Sequence, residues 1–69
     1  MVVEQYVSGF HAGDAVGGTM RRFHRFLLGR GIASRIVALT VDPGLEGEAL
    51  RLHDHAADAG AVKVYHFAI

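Results

Sequence analysis

The first residues of chemical interest are a group of histidines and carboxylates in the second half of the chain. His53, Asp54 and His55 are adjacent, Asp58 follows closely, and all four have side chains that bind transition metals. On a helix, residues two apart point in nearly opposite directions, so the two imidazoles would not converge on one ion. We therefore interpret the group as an exposed helix surface and expect no metal there. A metal-dependent hydrolase is the least favoured function.

A second candidate is His66, which follows Tyr65 in an apolar segment near the end of the sequence. If this segment is a strand of an open parallel sheet, His66 lies towards its carboxyl end, where such sheets bind ligands. We therefore take His66 as a candidate catalytic and substrate-binding residue, with a hydrogen-bonded core histidine as the alternative. His11 and His24 lie in a predicted loop and on a predicted helix surface, and they are weaker candidates.

A glycine-rich segment in the first part of the chain is the third candidate, because glycines let a phosphate approach the backbone. It contains Gly13, Asp14, Gly17 and Gly18, but it matches neither the G-x-G-x-x-G pattern nor a P-loop, since no lysine precedes Thr19. A helix that starts here would offer free N–H groups and a partial positive charge to an anion. The alternative is that the glycines allow close packing of the helix on the sheet.

The elements that position these residues follow from the apolar pattern. Residues 2–7 are β-branched and aromatic, which predicts a strand, and residues 8–14 are predicted to form a loop. Apolar residues then recur at helical spacing, which predicts an amphipathic helix with Asp14 as its N-cap and Gly31 just beyond its end. The predicted buried stripe of this helix consists of Val16, Met20, Phe23 and Leu27.

The rest of the chain alternates in the same way. Residues 33–41 and 61–69 are apolar runs typical of buried parallel strands, and a weaker helical pattern predicts a short helix over 46–58. The order β-α-β-(α)-β predicts an α/β fold, namely a partial Rossmann-like domain with a three-stranded parallel sheet. We expect residues 1–69 to form this one domain, because a chain of this length supports a single small core.

Composition narrows the classes of function. The chain has no cysteine, which suits a reducing compartment such as the cytoplasm, and it has no apolar run long enough for a transmembrane segment. Its net charge of zero argues against nucleic acid as a partner. The first 35 residues nevertheless contain five arginines against two carboxylates. An alternative function is therefore a small α/β binding or interaction module that uses a basic helix face formed by Arg21, Arg22 and Arg25.

Several of these segments together resemble the N-terminal domain of bacterial family 4 glycosyltransferases, and the resemblance spans nearly all of the chain. The first strand, the glycine-rich loop, the helix and the late Tyr-His segment occur in the same order as in that family. One strand of the family's domain, before the Tyr-His segment, is expected to be missing or reduced to a loop. The residues that carry the resemblance are Gln5-Tyr6-Val7, Gly13-Asp14-Ala15-Val16-Gly17, Arg30-Gly31 and Val64-Tyr65-His66-Phe67-Ala68-Ile69.

The resemblance implies a GT-B enzyme, in which two Rossmann-like domains face a cleft, and these residues would form half of the N-terminal domain. Such enzymes transfer a sugar from a nucleotide-diphosphate sugar to a sugar or lipid-linked acceptor, with retention of configuration and without an obligate metal or other cofactor. By resemblance, Gly13, Asp14, Gly17 and Gly18 lie near the donor diphosphate, and His66 lies near the transferred sugar. The donor-binding C-terminal domain is not among these 69 residues, so we expect the chain to be inactive alone.

Overall fold

The structure, a computed structural model, describes residues 1–56 and 58–67. These residues form a four-stranded, fully parallel sheet with the strand order β3-β2-β1-β4, consistent with a Rossmann-like α/β fold. The elements are β1 (Val2–Phe10), α1 (Ala15–Gly29), β2 (Ala33–Val41), β3 (Leu50–Arg51), a 3-10 helix (Leu52–Asp54) and β4 (Val62–Tyr65).

The sheet has one strand more than the sequence predicted. The additional strand, β3, has only two residues and pairs with Val37 and Ala38 of β2. It replaces the middle of the helix predicted over 46–58, which does not form; residues 46–48 are a turn and the 3-10 helix follows β3. The prediction failed because the helical pattern is weak and long-range contacts decide the structure: Leu50 and Arg51 pair with β2, and His55 lies beside Glu4.

The first and the last strand predicted from the sequence differ in length from the observed strands β1 and β4. β1 extends through Phe10, so the prediction of a loop from residue 8 was wrong. The side chain of Phe10 is completely buried, and this packing holds the end of the strand in place. The strand predicted over 61–69 is shorter: β4 ends at Tyr65, and His66 follows the strand. Residues 68 and 69 lie outside the described residues.

Both ends of α1 are closed as the sequence predicted. The carboxylate of Asp14 accepts a hydrogen bond from the backbone N–H of Val16 at 3.0 Å. At the other end Gly31 has φ +76°, a conformation that costs glycine nothing. The N–H of Gly31 bonds to the carbonyl of Leu28 and that of Ile32 to the carbonyl of Leu27, which is a Schellman motif.

The buried face of α1 is rotated relative to the predicted stripe. Met20 and Leu27 are buried as predicted, but the third buried residue is Gly17, and Phe23 lies at the rim with 36% of its surface exposed. His24 takes the inward position instead, and its Nδ1 lies 2.7 Å from the hydroxyl of Ser34 on β2. The rotation brings α1 close to the end of β1, where Gly17 leaves room for little more than a Cβ.

The two faces of the sheet are covered in different ways. Gln5 points towards α1 and donates a hydrogen bond to the carbonyl of Met20 at 3.0 Å. Glu4, its neighbour in β1, points to the opposite face because side chains alternate along a strand. There the segment that leads to β4 covers it, with His55 Nε2 only 2.7 Å from the carboxylate. The core therefore lies on the α1 face, and a short irregular layer covers part of the other.

Candidate functional site

The strand order places the candidate site at the carboxyl ends of β1 and β4. The chain continues from β1 to β2 on one side of β1, whereas β4 lies on the other side. At such a change of direction the connections diverge and leave a crevice, which is where open parallel sheets bind ligands. Residues 11–14 leave β1 for α1 along this edge, and His66 and Phe67 follow β4.

The loop between β1 and α1 is built around a tight turn. Gly13 has φ +75°, and Asp14 then caps the helix through the N–H of Val16. The carbonyl of Asp14 also accepts a hydrogen bond from the N–H of Gly18 at 3.0 Å. The negative carboxylate of Asp14 therefore lies at the positive end of α1, where it favours the helix and can accept hydrogen bonds from hydroxyl groups.

Gly17 and Gly18 have different surroundings, although the sequence groups them together. A Cβ on Gly17 would lie 3.4 Å from the carbonyl oxygen of His11 and 3.6 Å from the ring of Phe10. A Cβ on Gly18 would have the guanidinium of Arg22 at 3.8 Å as its nearest neighbour. Gly17 therefore lies at the contact between the helix and the end of β1, with room for little more than a Cβ, whereas Gly18 lies away from that contact.

His66 is held in a fixed orientation beside the crevice. Its backbone N–H donates to the carbonyl of Tyr6 at 2.8 Å, which extends the pairing of β4 with β1 by one bond. Its Nε2 lies 2.8 Å from Oε1 of Gln5, whose amide N–H₂ is already donated to Met20. Because Oε1 can only accept, Nε2 carries the proton, and Nδ1 of the neutral ring is left as an acceptor.

A cavity of about 220 Å³ separates the first turns of α1 from the residues after β4. Thr19 contributes its hydroxyl, which donates to the carbonyl of Ala15 at 3.1 Å and accepts from Arg22 at 3.3 Å. Of the predicted site residues, His66 lines this cavity, whereas the glycines and Asp14 lie in the loop and first turn next to it. The lining residues are Ala15, Val16, Thr19, His66 and Phe67.

The same edge of the sheet holds a histidine–aspartate pair that the sequence analysis missed. Nδ1 of His11, just after β1, lies 2.8 Å from Oδ1 of Asp42, just after β2. Oδ2 of Asp42 accepts the backbone N–H of Ala12 at 3.0 Å. The hydrogen bond from His11, together with that from Ala12, holds the pKa of the Asp42 carboxyl below its ordinary value. An ionised Asp42 requires Nδ1 to carry the proton, which leaves Nε2 of a neutral His11 as an acceptor.

Gly9 makes room for this arrangement. A Cβ there would collide with Nε2 of His11, because the imidazole lies over the backbone at the end of β1. A signal for the pair was available in the sequence: each partner directly follows an apolar strand, and parallel strands end at the same edge. The predicted strand stopped at Val7, however, which placed His11 in the middle of a loop rather than at a strand end.

A separate, buried cluster of polar side chains surrounds Glu4 on the other face of the sheet. The Glu4 carboxylate is completely buried and receives hydrogen bonds from Tyr6 at 2.9 Å and from Arg35 at 3.1 Å, with His55 close by. Burial alone would raise the pKa of Glu4, but these contacts outweigh it and the pKa is lowered. Burial and the adjacent Glu4 raise the pKa of Tyr6 to about 12.

This cluster changes the interpretation of the His53 segment in part, because His53 and Asp54 are exposed on the 3-10 helix but His55 is not. His55 points inward to Glu4, whereas His53 points outward and lies 3.5 Å from the carboxylate of Asp54. Asp58 lies 4.0 Å from Arg35 instead of near the histidines. Within residues 1–56 and 58–67, no group of three or more candidate ligands could hold a metal ion.

The basic helix face of the alternative function is smaller than the sequence indicated. Arg21 is paired with Glu48 at 2.8 Å, and its guanidinium lies over the ring of Phe10 at 5.0 Å. Arg22 and Arg25 remain exposed.

Among the described residues, no helix combines the length and hydropathy that crossing a bilayer requires. In comparisons with known proteins, no family model, no curated protein and no solved structure matches this chain.

Proposed function

We propose that the chain is the N-terminal portion of a retaining glycosyltransferase, which moves a sugar from a nucleotide-diphosphate sugar to an acceptor. The observation that supports this function is the crevice at the carboxyl ends of β1 and β4. It brings the β1–α1 loop, the N-terminus of α1 and His66 to one edge of the sheet, around the cavity of about 220 Å³. These are the segments in which the sequence resembles family 4 glycosyltransferases.

The residues of the crevice could bind two parts of such a donor, its diphosphate and its sugar. A Cβ on Gly13 would meet no atom within 4 Å, and one on Gly18 would meet only the end of the Arg22 side chain at 3.8 Å. A diphosphate can therefore approach the backbone at the start of α1. Asp14 and the free Nδ1 of His66 can accept hydrogen bonds from sugar hydroxyls. The cavity is smaller than the roughly 300–1,000 Å³ typical of complete ligand pockets. A second domain would therefore supply the rest of the site, and this portion alone would not be active.

The proposal is tested with the protein encoded by the complete reading frame that contains these residues. It is incubated with a set of nucleotide-diphosphate sugars and acceptors, and release of the nucleoside diphosphate is measured. We expect turnover of one donor, with the anomeric configuration retained in the product as judged by NMR. Turnover with inversion would contradict the retaining mechanism, and no turnover with any donor would contradict the function.

Two substitutions connect such an activity to the crevice. His66→Ala is expected to lower kcat about tenfold or more, the effect of losing one polar contact to the transition state. Arg51→Ala, on β3 at the other end of the strand order, is the control and should keep full turnover. Equal activity of both variants, with equal melting temperatures, would remove His66 from the site.

A further inference from the structure

The outward side of α1 carries charges and aromatic rings that the packing of the fold does not use. The chain has no acidic residue between Asp14 and Asp42, a stretch that includes all of α1. The helix packs on the sheet through Met20 and Leu27, and helical spacing places Arg22, Arg25 and Phe26 on the side away from them. Phe23 lies at the rim of that side, and Arg30 is the C-cap residue just beyond the helix. We call these residues the arginine–phenylalanine face: Arg22, Phe23, Arg25, Phe26 and Arg30.

The arginines of this face are available to a partner. Two other arginines of the same stretch have carboxylate partners, because Arg21 pairs with Glu48 and Arg35 with Glu4. In the part of the chain that the structure describes, no carboxylate lies within 4.0 Å of the three guanidinium groups of the face. The face therefore has a local positive charge although the net charge of the chain is zero.

An aromatic ring lies among these charges instead of in the core. Phe26 is 57% exposed, and the guanidinium of Arg30 stacks over its ring at 5.6 Å from the centroid. Phe23, one turn earlier, is 36% exposed. Exposed aromatic rings among arginines are the side chains that helices at a membrane interface present to lipid, the rings to the acyl boundary and the arginines to the phosphates.

We propose that the arginine–phenylalanine face binds the surface of an anionic lipid bilayer, with α1 parallel to the membrane plane. The guanidinium groups would meet lipid phosphates, and the ring of Phe26 would reach the boundary between headgroups and acyl chains. The stems of the arginines are long enough to keep the charges at the phosphates while the ring goes deeper. The proposal depends on the surface of α1 and not on the function of the crevice.

Nucleic acid fits this face less well than lipid. A duplex offers phosphates to the arginines, but its backbone has no apolar layer that would take up the ring of Phe26. A single strand could stack a base on an exposed ring, but Arg30 already covers one side of Phe26. An anionic bilayer offers phosphates to the arginines and, directly beneath them, an apolar layer to the ring of Phe26. We therefore favour the bilayer over nucleic acid as the partner.

Flotation of the purified protein with vesicles tests the proposal. One set of vesicles is phosphatidylcholine alone, and the other contains an equal amount of phosphatidylglycerol. We expect binding to the anionic vesicles only, with a decrease when salt is raised from about 0.1 M to about 0.5 M, because salt screens the arginines. Folded wild-type protein that does not float with anionic vesicles at low salt would overturn the proposal.

Matched variants on the same helix identify the face. Phe26→Ser is expected to lower the partition coefficient about tenfold through the lost apolar contact. Leu28→Ser is the control, because Leu28 is 51% exposed but projects from nearly the opposite side of the helix. Arg25→Gln should lower partitioning about fivefold, the effect of one charge at an anionic surface. Arg51→Gln, on β3, should leave it unchanged. Equal losses for Phe26→Ser and Leu28→Ser would overturn the proposal.

Two further measurements test whether the arginine–phenylalanine face binds nucleic acid or a second copy of the chain instead of lipid. If the protein binds an RNA oligonucleotide in a salt-sensitive way but no vesicle, the face is a nucleic-acid surface and the proposal is wrong. If gel filtration finds a dimer that Phe26→Ser dissociates, and no vesicle binding, the face joins two copies and the proposal is again wrong. Circular dichroism of each variant shows that it is folded. Should Phe26→Ser unfold, the Arg22→Gln, Arg25→Gln double variant tests the charges alone.

Discussion

Gly17 and Gly18 are adjacent residues of α1, and substitution by a large side chain should separate their roles. Gly17→Leu is expected to lower the free energy of unfolding by about 1–3 kcal/mol, because Phe10 and the carbonyl of His11 leave no room beyond a Cβ. Gly18→Leu should raise it by up to about 1 kcal/mol, since leucine is the better helix former and the nearest atom belongs to the flexible end of Arg22, at 3.8 Å from a Cβ. Urea unfolding of both variants measures the difference. Equal effects would mean that Gly17 does not pack as described.

The His11–Asp42 pair depends on the missing side chain at Gly9. Gly9→Ala is expected to displace the imidazole of His11, because the new Cβ would collide with Nε2. Asp42 would then lose the hydrogen bond that contributes most to its lowered pKa, so this pKa should rise towards its ordinary value. Carboxyl carbon NMR over an acid titration measures it.

Gly29→Ala is the control for that titration, because a Cβ at Gly29 meets no atom within 4 Å. An unchanged pKa of Asp42 in Gly9→Ala would contradict the arrangement. His11→Ala should raise the same pKa, since it removes the donor directly.

The contacts of candidate site residues could be predicted from the sequence only where the two residues in contact are close to each other along the chain. The cap from Asp14 to Val16 follows from local spacing and is confirmed. His11 and Asp42 are 31 residues apart, and their contact depends on the register of two strands and on where β1 ends. Apolar patterns give strand ends poorly, so this pair was missed. That His66 and the glycine loop act on a nucleotide sugar stays a prediction.

Among the elements, α1 offers a direct test of which side is buried. Met20→Asp should prevent folding, because Met20 is completely buried and would bring an unpaired carboxylate into the core. Phe23→Asp should cost only about 1–2 kcal/mol, because Phe23 lies at the rim of the core with 36% of its surface exposed. The predicted stripe treated both residues as core. Far-UV circular dichroism with urea compares them, and loss of folding in Phe23→Asp would restore the original stripe.

The elements that were predicted well are those with a strong local signal. The bounds of β2 match the predicted residues 33–41, and α1 has its predicted cap and end. The segment 46–58 had only a weak pattern, with glycine at position 47 and with alanine at two positions, 49 and 56, of its apolar helical face. Its structure is decided by contacts with β2 and Glu4 instead of by its own propensity. Such contacts leave no periodic trace in the sequence.

For the whole molecule, the buried Glu4 cluster predicts how stability depends on pH. The pKa of Glu4 is lower in the folded chain than its ordinary value of 4.5, so the unfolded chain binds this proton more readily. Stability from Glu4 is therefore complete above about pH 4.5 and is lost as the pH falls through the lower, folded pKa. At alkaline pH, Tyr6 has the opposite effect, because its pKa rises from 10.0 to about 12 on folding and stability is lost across that range.

Urea midpoints between pH 2 and pH 6 test the acid arm of this prediction. The Glu4→Gln variant should have a flatter acid limb than the wild type, because its amide does not titrate. Asp54→Asn, at a side chain with 70% exposure, is the control and should keep the wild-type slope. If both variants followed the wild-type curve, acid unfolding would originate from other carboxyls.

A sheet with one α-helix packed on it leaves apolar side chains in water. Leu39, Tyr65 and Phe67 are 56%, 60% and 86% exposed. A chain of this size also has a small core, so we expect a free energy of unfolding below about 5 kcal/mol, or self-association. Light scattering with urea unfolding measures both. A monomer that unfolds cooperatively with a clearly larger free energy would contradict this expectation.

The Glu4 cluster also has a consequence for the order of events during folding. Its members come from β1, from β2 and from the segment before β4, so Arg35 and His55 reach Glu4 only after long loops have closed. A carboxylate loses its water only when all of these partners are in place. We therefore expect the cluster to form after the rate-limiting step. Arg35→Ala should speed unfolding and leave the refolding rate nearly unchanged. The contacts that form last would then determine how long a folded molecule survives before it unfolds.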